Sequence, residues 1–277
     1  MKFIATTTAL VAACALAIST VSAVSAVSEA GVKGAPWGYK PDDTTQASPV
    51  QWADHYPDCN GTHQSPIDLV TADVKQQTKA QNTLRFRGDC ASFNLTQSAE
   101  GYKAEVVGGS CQVRGNKARY DLLQFHVHAP SEHTLNGEPL DGEVHFVHSN
   151  KDGSALLVVG LFMEIDPSGN TDPWLETLID GIDDVSPTKE VMLDLTSYSA
   201  LVKKTVRGGS LFNYPGSLTT PGCSEIVDWW VVEKPMKISA KDLTRIRENQ
   251  GEIDLNYKSE SARPVQPLND RIVKSFQ

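Results

Sequence analysis

Five of the chain's seven histidines lie between His126 and His148. Imidazole is the commonest side-chain ligand for transition metals near neutral pH. In His126-x-His128 the two rings share one face if the segment is a strand, because alternate residues of a strand point the same way. Gln124 lies beside them on that face. A second segment, from Gly142 onward, places Glu143, His145 and Val147 together. Pairing these two strands would bring three imidazoles to one point. Three neutral nitrogens leave the fourth tetrahedral position of a Zn²⁺ ion open, the arrangement of a catalytic rather than a structural zinc. A metal so held makes bound water acidic enough to supply hydroxide. Gln124 and Glu143 each precede a proposed ligand by two residues and are placed to bond the remaining ring nitrogens. A His-x-His pair alone is weak, since buried histidines also serve as ordinary hydrogen-bonded core residues. His145 and the two flanking polar groups strengthen the metal reading. His133, in the connecting loop, and His148, out of phase with His145, are not expected to be ligands.

The elements that must hold these residues read mainly as strands. Tyr120 to His128, Gly142 to Ser149 and Ala155 to Met163 are short, apolar or alternating, and separated by turn pairs such as Asn136-Gly137 and Asp152-Gly153. Phe125, Val127, Val144 and Phe146 give the two histidine strands an apolar side for a core. Two short helices are predicted. Asp172 caps one that starts at Pro173 and ends near Gly181, and Ser239 with Asp242 caps another that Gly251 stops. The expected fold is mainly β: a large twisted, mostly antiparallel central sheet with a few short peripheral helices, in one domain. Residues before about Gln51 are rich in Gly, Pro, Ser and Thr and read as a loose arm.

Residues 1–23 read as a secretory signal: Lys2, then the uncharged, mostly apolar Phe3 to Ile18, then small residues. Cleavage could follow Ala23, Ala26 or Ala30. The apolar stretch is shorter than the roughly 20 residues a membrane span needs. Without Cys14, four cysteines remain: Cys59, Cys90, Cys111 and Cys223. An even number suits an oxidising compartment, and four cysteines allow three pairings. Asn60-Gly61-Thr62 and Asn94-Leu95-Thr96 are glycosylation sequons. The net charge of -9 argues against a nucleic-acid partner, which needs a basic surface. There is no His-Glu-x-x-His or Gly-x-Ser-x-Gly sequence to support a protease or lipase.

The run Gln124-Phe125-His126-Val127-His128, Ser131-Glu132-His133-Thr134 and Glu143-Val144-His145-Phe146-Val147-His148 resembles the metal-binding core of the alpha-type carbonic anhydrases. Trp37-Gly38-Tyr39, Gln64-Ser65-Pro66-Ile67-Asp68, Tyr214-Pro215-Gly216-Ser217-Leu218-Thr219-Thr220-Pro221, Trp229, and Arg263-Pro264 with Gln266-Pro267-Leu268-Asn269 match further family segments in order. The stretch Ala129-Pro130-Ser131-Glu132-His133 is closer to plant-like and microbial-like members. The resemblance covers residues 37–277 as a catalytic domain. It implies reversible hydration of carbon dioxide to bicarbonate and a proton through a zinc-bound hydroxide, with Zn²⁺ as cofactor, a small-molecule substrate and a secreted location.

Carried over by position, the resemblance gives His126, His128 and His145 as metal ligands. Thr219 would orient the hydroxide by donating a hydrogen bond to Glu132. Val147, Val158, Leu218 and Trp229 would form the apolar wall for carbon dioxide, Thr220 would hold solvent, and Tyr39 would join the solvent network. Cys59 and Cys223 occupy the disulfide positions of secreted members, which leaves Cys90 to pair with Cys111. Ala91 falls where many members carry a proton-relaying histidine, so slow proton transfer is expected. Asn94 is expected to face the cavity and stay unglycosylated, leaving Asn60 as the better acceptor. Two alternatives are a catalytically weak binding or storage relative and a different zinc hydrolase.

Overall fold

The computed structural model describes residues 36–77, 84–116, 118–207 and 209–276. The predicted leader, 1–23, lies outside them. The histidine segments are long strands: β7 spans Ala118–His128 and β10 spans Gly142–Ser149. Next comes β11, Leu156–Ile165, the third predicted strand. Every residue of β10 is buried, as a strand covered on both faces must be.

These strands form the middle of a 12-stranded sheet. On one side of β7 lie β5 (Gly101–Val106), β4 (Ser92–Ser98) and β12 (Val191–Asp194). Alongside them are β6 (Ser110–Gly115), which pairs with β7, and β3 (Arg85–Asp89), which pairs with β6. Beyond β11 follow β14 (Val227–Ile238), β13 (Leu211–Gly216), β15 (Lys274–Phe276) and β2 (Lys75–Gln77). β11 runs parallel to β14 and β15 parallel to β2; the remaining pairings in this sheet are antiparallel. The short strands β1 (Asp68–Leu69), β8 (Thr134–Leu135) and β9 (Glu138–Pro139) make a separate small sheet.

One face of the sheet carries the main core. Phe125 and Phe146 touch there at 5.3 Å between ring centroids, and both meet Trp174 of helix α2, Pro173–Asp184. The Asp172 carboxylate accepts from the Trp174 N–H, so the predicted cap is formed, and the helix continues three residues past Gly181. Ser239 caps α4, Ala240–Gly251, by accepting from the Asp242 N–H. The helix α3, Tyr198–Val206, was not expected; its N-cap Ser197 is of a favoured residue type but makes no side-chain capping bond. A fourth, single-turn helix, α1, spans Trp52–His55.

Residues 37–51 are not a loose arm. Trp37, Tyr39 and Trp52 pack edge to face with centroids 5.6–6.0 Å apart, and Ala47 is buried among them. The apolar area of three aromatic rings outweighs the local Gly and Pro content.

Candidate metal centre

The antiparallel register of β7 and β10 sets His126 opposite His145 and Glu143 opposite His128. The ring centroids of the three histidines lie 4.7, 5.1 and 5.3 Å apart. One nitrogen from each falls within 4.8 Å of the others. The expected convergence is therefore present, in the lining of a cavity of about 200 Å³.

Each ring has a polar group close to its outer nitrogen. Nδ1 of His126 is 2.9 Å from Gln124 Oε1, and Nδ1 of His128 is 2.8 Å from the Ser261 carbonyl. Nε2 of His145 lies 3.1 Å from Glu143 Oε1. Gln124 and Glu143 sit where the strand parity put them. Ser261 comes from a loop 133 residues away in sequence from His128, and nothing local announces it. Glu143 also receives the backbone N–H groups of Glu132 and His133 and contacts His133 Nδ1 at 2.8 Å. Its carboxylate presses on Gly160, the residue opposite His145 on β11, where a Cβ would come within 2.6 Å of Oε1.

The donor set fits a zinc ion. Nε2 of His128 and Oε2 of Glu132 are buried without a hydrogen-bond partner among the described residues and lie 3.5 Å apart; Nε2 of His145, though 3.1 Å from Glu143 Oε1, makes no well-formed hydrogen bond either. A buried polar atom without a partner is costly, and a cation at this point would satisfy the nitrogen. Burial, reinforced by the neighbouring rings, holds the imidazole of His126 well below its usual pKa, and burial lowers His128 as well. Metals bind the neutral ring, so both are in the binding form. Burial pushes His145 the same way, but the Glu143 carboxylate outweighs it and the net shift is upward. The second histidine–carboxylate group, His133, Glu143 and His145, is a weaker candidate. Both ring nitrogens of His133 are already engaged, by Glu143 and by the Tyr214 hydroxyl at 2.6 Å. His148 points to the opposite face, with Nδ1 at 2.9 Å from the Leu157 carbonyl and Nε2 at 2.8 Å from the Tyr198 hydroxyl.

The cavity lining combines a packed apolar group with polar residues. Val147, Val158, Leu218 and Trp229 form the first, and Gln124, Thr219, Thr220 and Tyr39 belong to the lining as well. Thr219 sits in the loop after β13. This loop is pinned by the Cys59–Cys223 disulfide, by the Cys223 N–H to the Thr220 carbonyl, and by the Trp229 indole N–H to the Ser217 carbonyl. Cys90 and Cys111 form the second disulfide. No Thr219–Glu132 hydrogen bond is formed among the described residues: Glu132 Oε1 instead accepts from the Arg263 N–H, and Oε2 has no partner.

The strand order decides which other residues reach the cavity. β5 lies between β4 and β7, so Lys103 faces His126 and Glu105 faces Gln124 across the strand pair. Asn94 of β4 is opposite Glu105 and so one strand further from β7. Its side chain donates to Glu190 and it does not line the cavity. Ala91 is exposed, accepts the Leu195 N–H through its carbonyl, and is also outside the lining. Lys103, Glu100 and Ser98, which alignment by motif passed over, line it instead.

A twisted mixed sheet with three histidines converging from two adjacent strands defines a class, and comparison with known proteins agrees. The sequence profile of the eukaryotic-type carbonic anhydrases matches residues 47–277, and the chain belongs to that family. It is 32% identical over 252 residues to a carbonic anhydrase of Nostoc, covering 89% of this chain and 88% of the relative. It is 31% identical over 229 residues to dioscorin DB3L of Dioscorea polystachya, covering 81% of each. Among solved structures it resembles the alpha-carbonic anhydrase of Thermovibrio ammonificans bound to sulfanilamide, with a TM-score of 0.71, 32% identity, and coverage of 88% of this chain and 100% of the other. It also resembles dioscorin complexed with ascorbate, with a TM-score of 0.73, 27% identity, and coverage of 87% and 98%.

Proposed function

We propose that this protein hydrates carbon dioxide reversibly to bicarbonate and a proton, with zinc held by His126, His128 and His145. The observation that carries the reading is the convergence of three imidazoles whose outer nitrogens each lie within 3.1 Å of a separate polar group, in the lining of a cavity that also holds Val147, Val158, Leu218 and Trp229. When bound, the metal makes hydroxide available near neutral pH, an established property of carbonic anhydrases.

The chain's own residues do the positioning. Val147, Val158, Leu218 and Trp229 exclude water and offer an apolar surface that suits carbon dioxide better than bicarbonate. Thr219 lies in the lining, and Glu132 Oε2 is buried 3.5 Å from His128 Nε2 and 3.8 Å from His145 Nδ1. A threonine that donates to a buried carboxylate can only accept from the attacking oxygen, which aims that oxygen at carbon. In this bond Glu132 Oε2, the atom left without a partner, would accept from the Thr219 O–H. Thr220 and Tyr39 hold solvent in the same cavity.

The dioscorin likeness supports a second reading, a binding or storage protein of weak activity. Retention of all three histidines, Glu132 and Thr219 favours the enzyme. Stopped-flow carbon dioxide hydration with and without a zinc chelator separates the two. We expect chelator-sensitive turnover, loss of zinc and activity together in His126→Ala, and zinc-loaded protein with most of its rate lost in Thr219→Ala. A folded, zinc-loaded protein without hydration activity would establish the second reading.

Secretion through the leader at 1–23 belongs to the same proposal and is supported by the two disulfides. Glycosylation is assigned to Asn60, which is exposed at the end of the short helical turn Pro57–Asn60.

A further inference from the structure

Four of the chain's nine arginines, Arg85, Arg87, Arg114 and Arg119, gather on one patch of the sheet. The register makes the pattern plain: Arg85 of β3 is opposite Arg114 of β6, which is opposite Arg119 of β7. Three guanidinium groups thus stand in one row across three strands, at intervals of about 5 Å. Phe86, Val113 and Tyr120 form the next row and turn to the other face, where Val113 and Tyr120 are buried and Phe86 meets Tyr198. All four arginines are exposed.

Like charges directly opposite on neighbouring strands destabilise a sheet. Counter-charges would relieve this, but none of the four arginines has an ion pair or hydrogen bond among the described residues. Arg245, Arg263 and Arg271 are each hydrogen-bonded, whereas Arg207 and Arg247, like the row, have no side-chain partner among the described residues but do not stand opposite another arginine. Of the carboxylates on this face, Asp121 accepts from Gln112 and neither it nor Asp89 pairs with an arginine. Protection of an edge strand explains charges on β3 but not Arg114 or Arg119, which lie on inner strands. The chain carries 34 acidic against 25 basic residues, so this basic row is local and set in an acidic molecule.

We propose that this row is a docking surface for a linear acidic polysaccharide, whose sulfate or carboxylate groups pair with Arg85, Arg114 and Arg119. The planar guanidinium fork matches such groups with two parallel hydrogen bonds. A shallow depression of about 230 Å³ running over a sheet face suits an extended chain with regularly spaced charges. The acidic remainder of the protein restricts a polyanion to this one patch. Val147 pairs with Gln124 and His148 with Leu122, so Leu123 is an extra residue in β7. The bulge brings Arg119 onto the same sheet face as His126. Seven residues of strand separate them, roughly 23 Å, so a docked chain leaves the cavity open.

The test uses the full mature protein on immobilised heparin, polygalacturonate and neutral dextran at physiological salt. Wild type should be retained on at least one acidic resin and pass through neutral dextran. Arg85→Thr/Arg114→Thr/Arg119→Thr should bind about 100-fold more weakly, with hydration activity unchanged. Thr suits a strand, and removing the like-charge row should raise the melting temperature. Arg85→Lys/Arg114→Lys/Arg119→Lys keeps the charge without the fork and should fall in between. Removing three exposed charges elsewhere, in Lys151→Thr/Lys189→Thr/Lys241→Thr, should leave retention intact. Three outcomes would overturn the proposal: wild type unretained on both acidic resins, equal loss in the lysine control, or a dimer abolished by the arginine variant, which assigns the face to a second copy.

Discussion

His126 and His145 face each other directly across the antiparallel pair β7 and β10, so a single register fixes both metal-facing rings. The third ring, His128, follows from strand parity, and its outer nitrogen is fixed by a carbonyl from a distant loop. Precision therefore comes from two adjacent strands buried in the sheet, with only one partner borrowed from elsewhere.

Gln124→Ala should leave the three histidines in place but free His126 to rotate. Loss of such an outer partner typically weakens metal affinity by about 10–100-fold. Zinc dissociation measured by competition with a chelator should fall in that range, with the melting temperature of zinc-loaded protein little changed. Unaltered affinity would show that Gln124 does not orient the ring.

His148 gives the fold an acid sensitivity separate from the metal centre. Burial pushes its pKa down to about 4, against the weaker upward pull of the Leu157 and Phe146 carbonyls. Its folded-state value lies below the unfolded one, so the unfolded chain takes up a proton first as pH falls. The stabilisation is complete above about pH 6.5 and is lost progressively down to about pH 4, by about 3 kcal/mol in total. His148→Gln lacks this proton linkage. Its deficit relative to wild type in urea denaturation should shrink between about pH 7 and about pH 4.5. A deficit that does not change with pH would exclude His148 as the source.

The two disulfides should differ in weight. Cys59–Cys223 closes a separation of 164 residues and Cys90–Cys111 one of 21. The loop-entropy estimate gives about 5 kcal/mol for the first and about 3 kcal/mol for the second. Cys59→Ser/Cys223→Ser should therefore lower the denaturation midpoint more than Cys90→Ser/Cys111→Ser. It should also reduce turnover, because it releases the loop that carries Thr219. The reverse order of midpoints would contradict this.

Proton export should limit turnover. The histidines that line the cavity are the three proposed ligands, and Ala91 stands outside it. Imidazole buffer should raise kcat markedly while kcat/KM stays nearly constant, because the buffer acts after carbon dioxide has reacted. Turnover indifferent to buffer concentration would mean that another group already relays the proton.

The sequence by itself determined the metal-facing residues, because strand parity is a local property: Gln124, His126 and His128 share a face wherever the strand goes, as do Glu143 and His145. The Asp172 and Ser239 caps were legible for the same reason. Tertiary structure decided what depends on distant partners. The Ser261 carbonyl behind His128, the Arg263 N–H on Glu132 and the Gly160 gap for Glu143 join residues far apart in sequence. The position of β5 beside β7 put Lys103 in the cavity lining, and the same sheet lined up Arg85, Arg114 and Arg119. Register between strands sets such neighbours, and register is the outcome of packing the whole sheet rather than of any one segment.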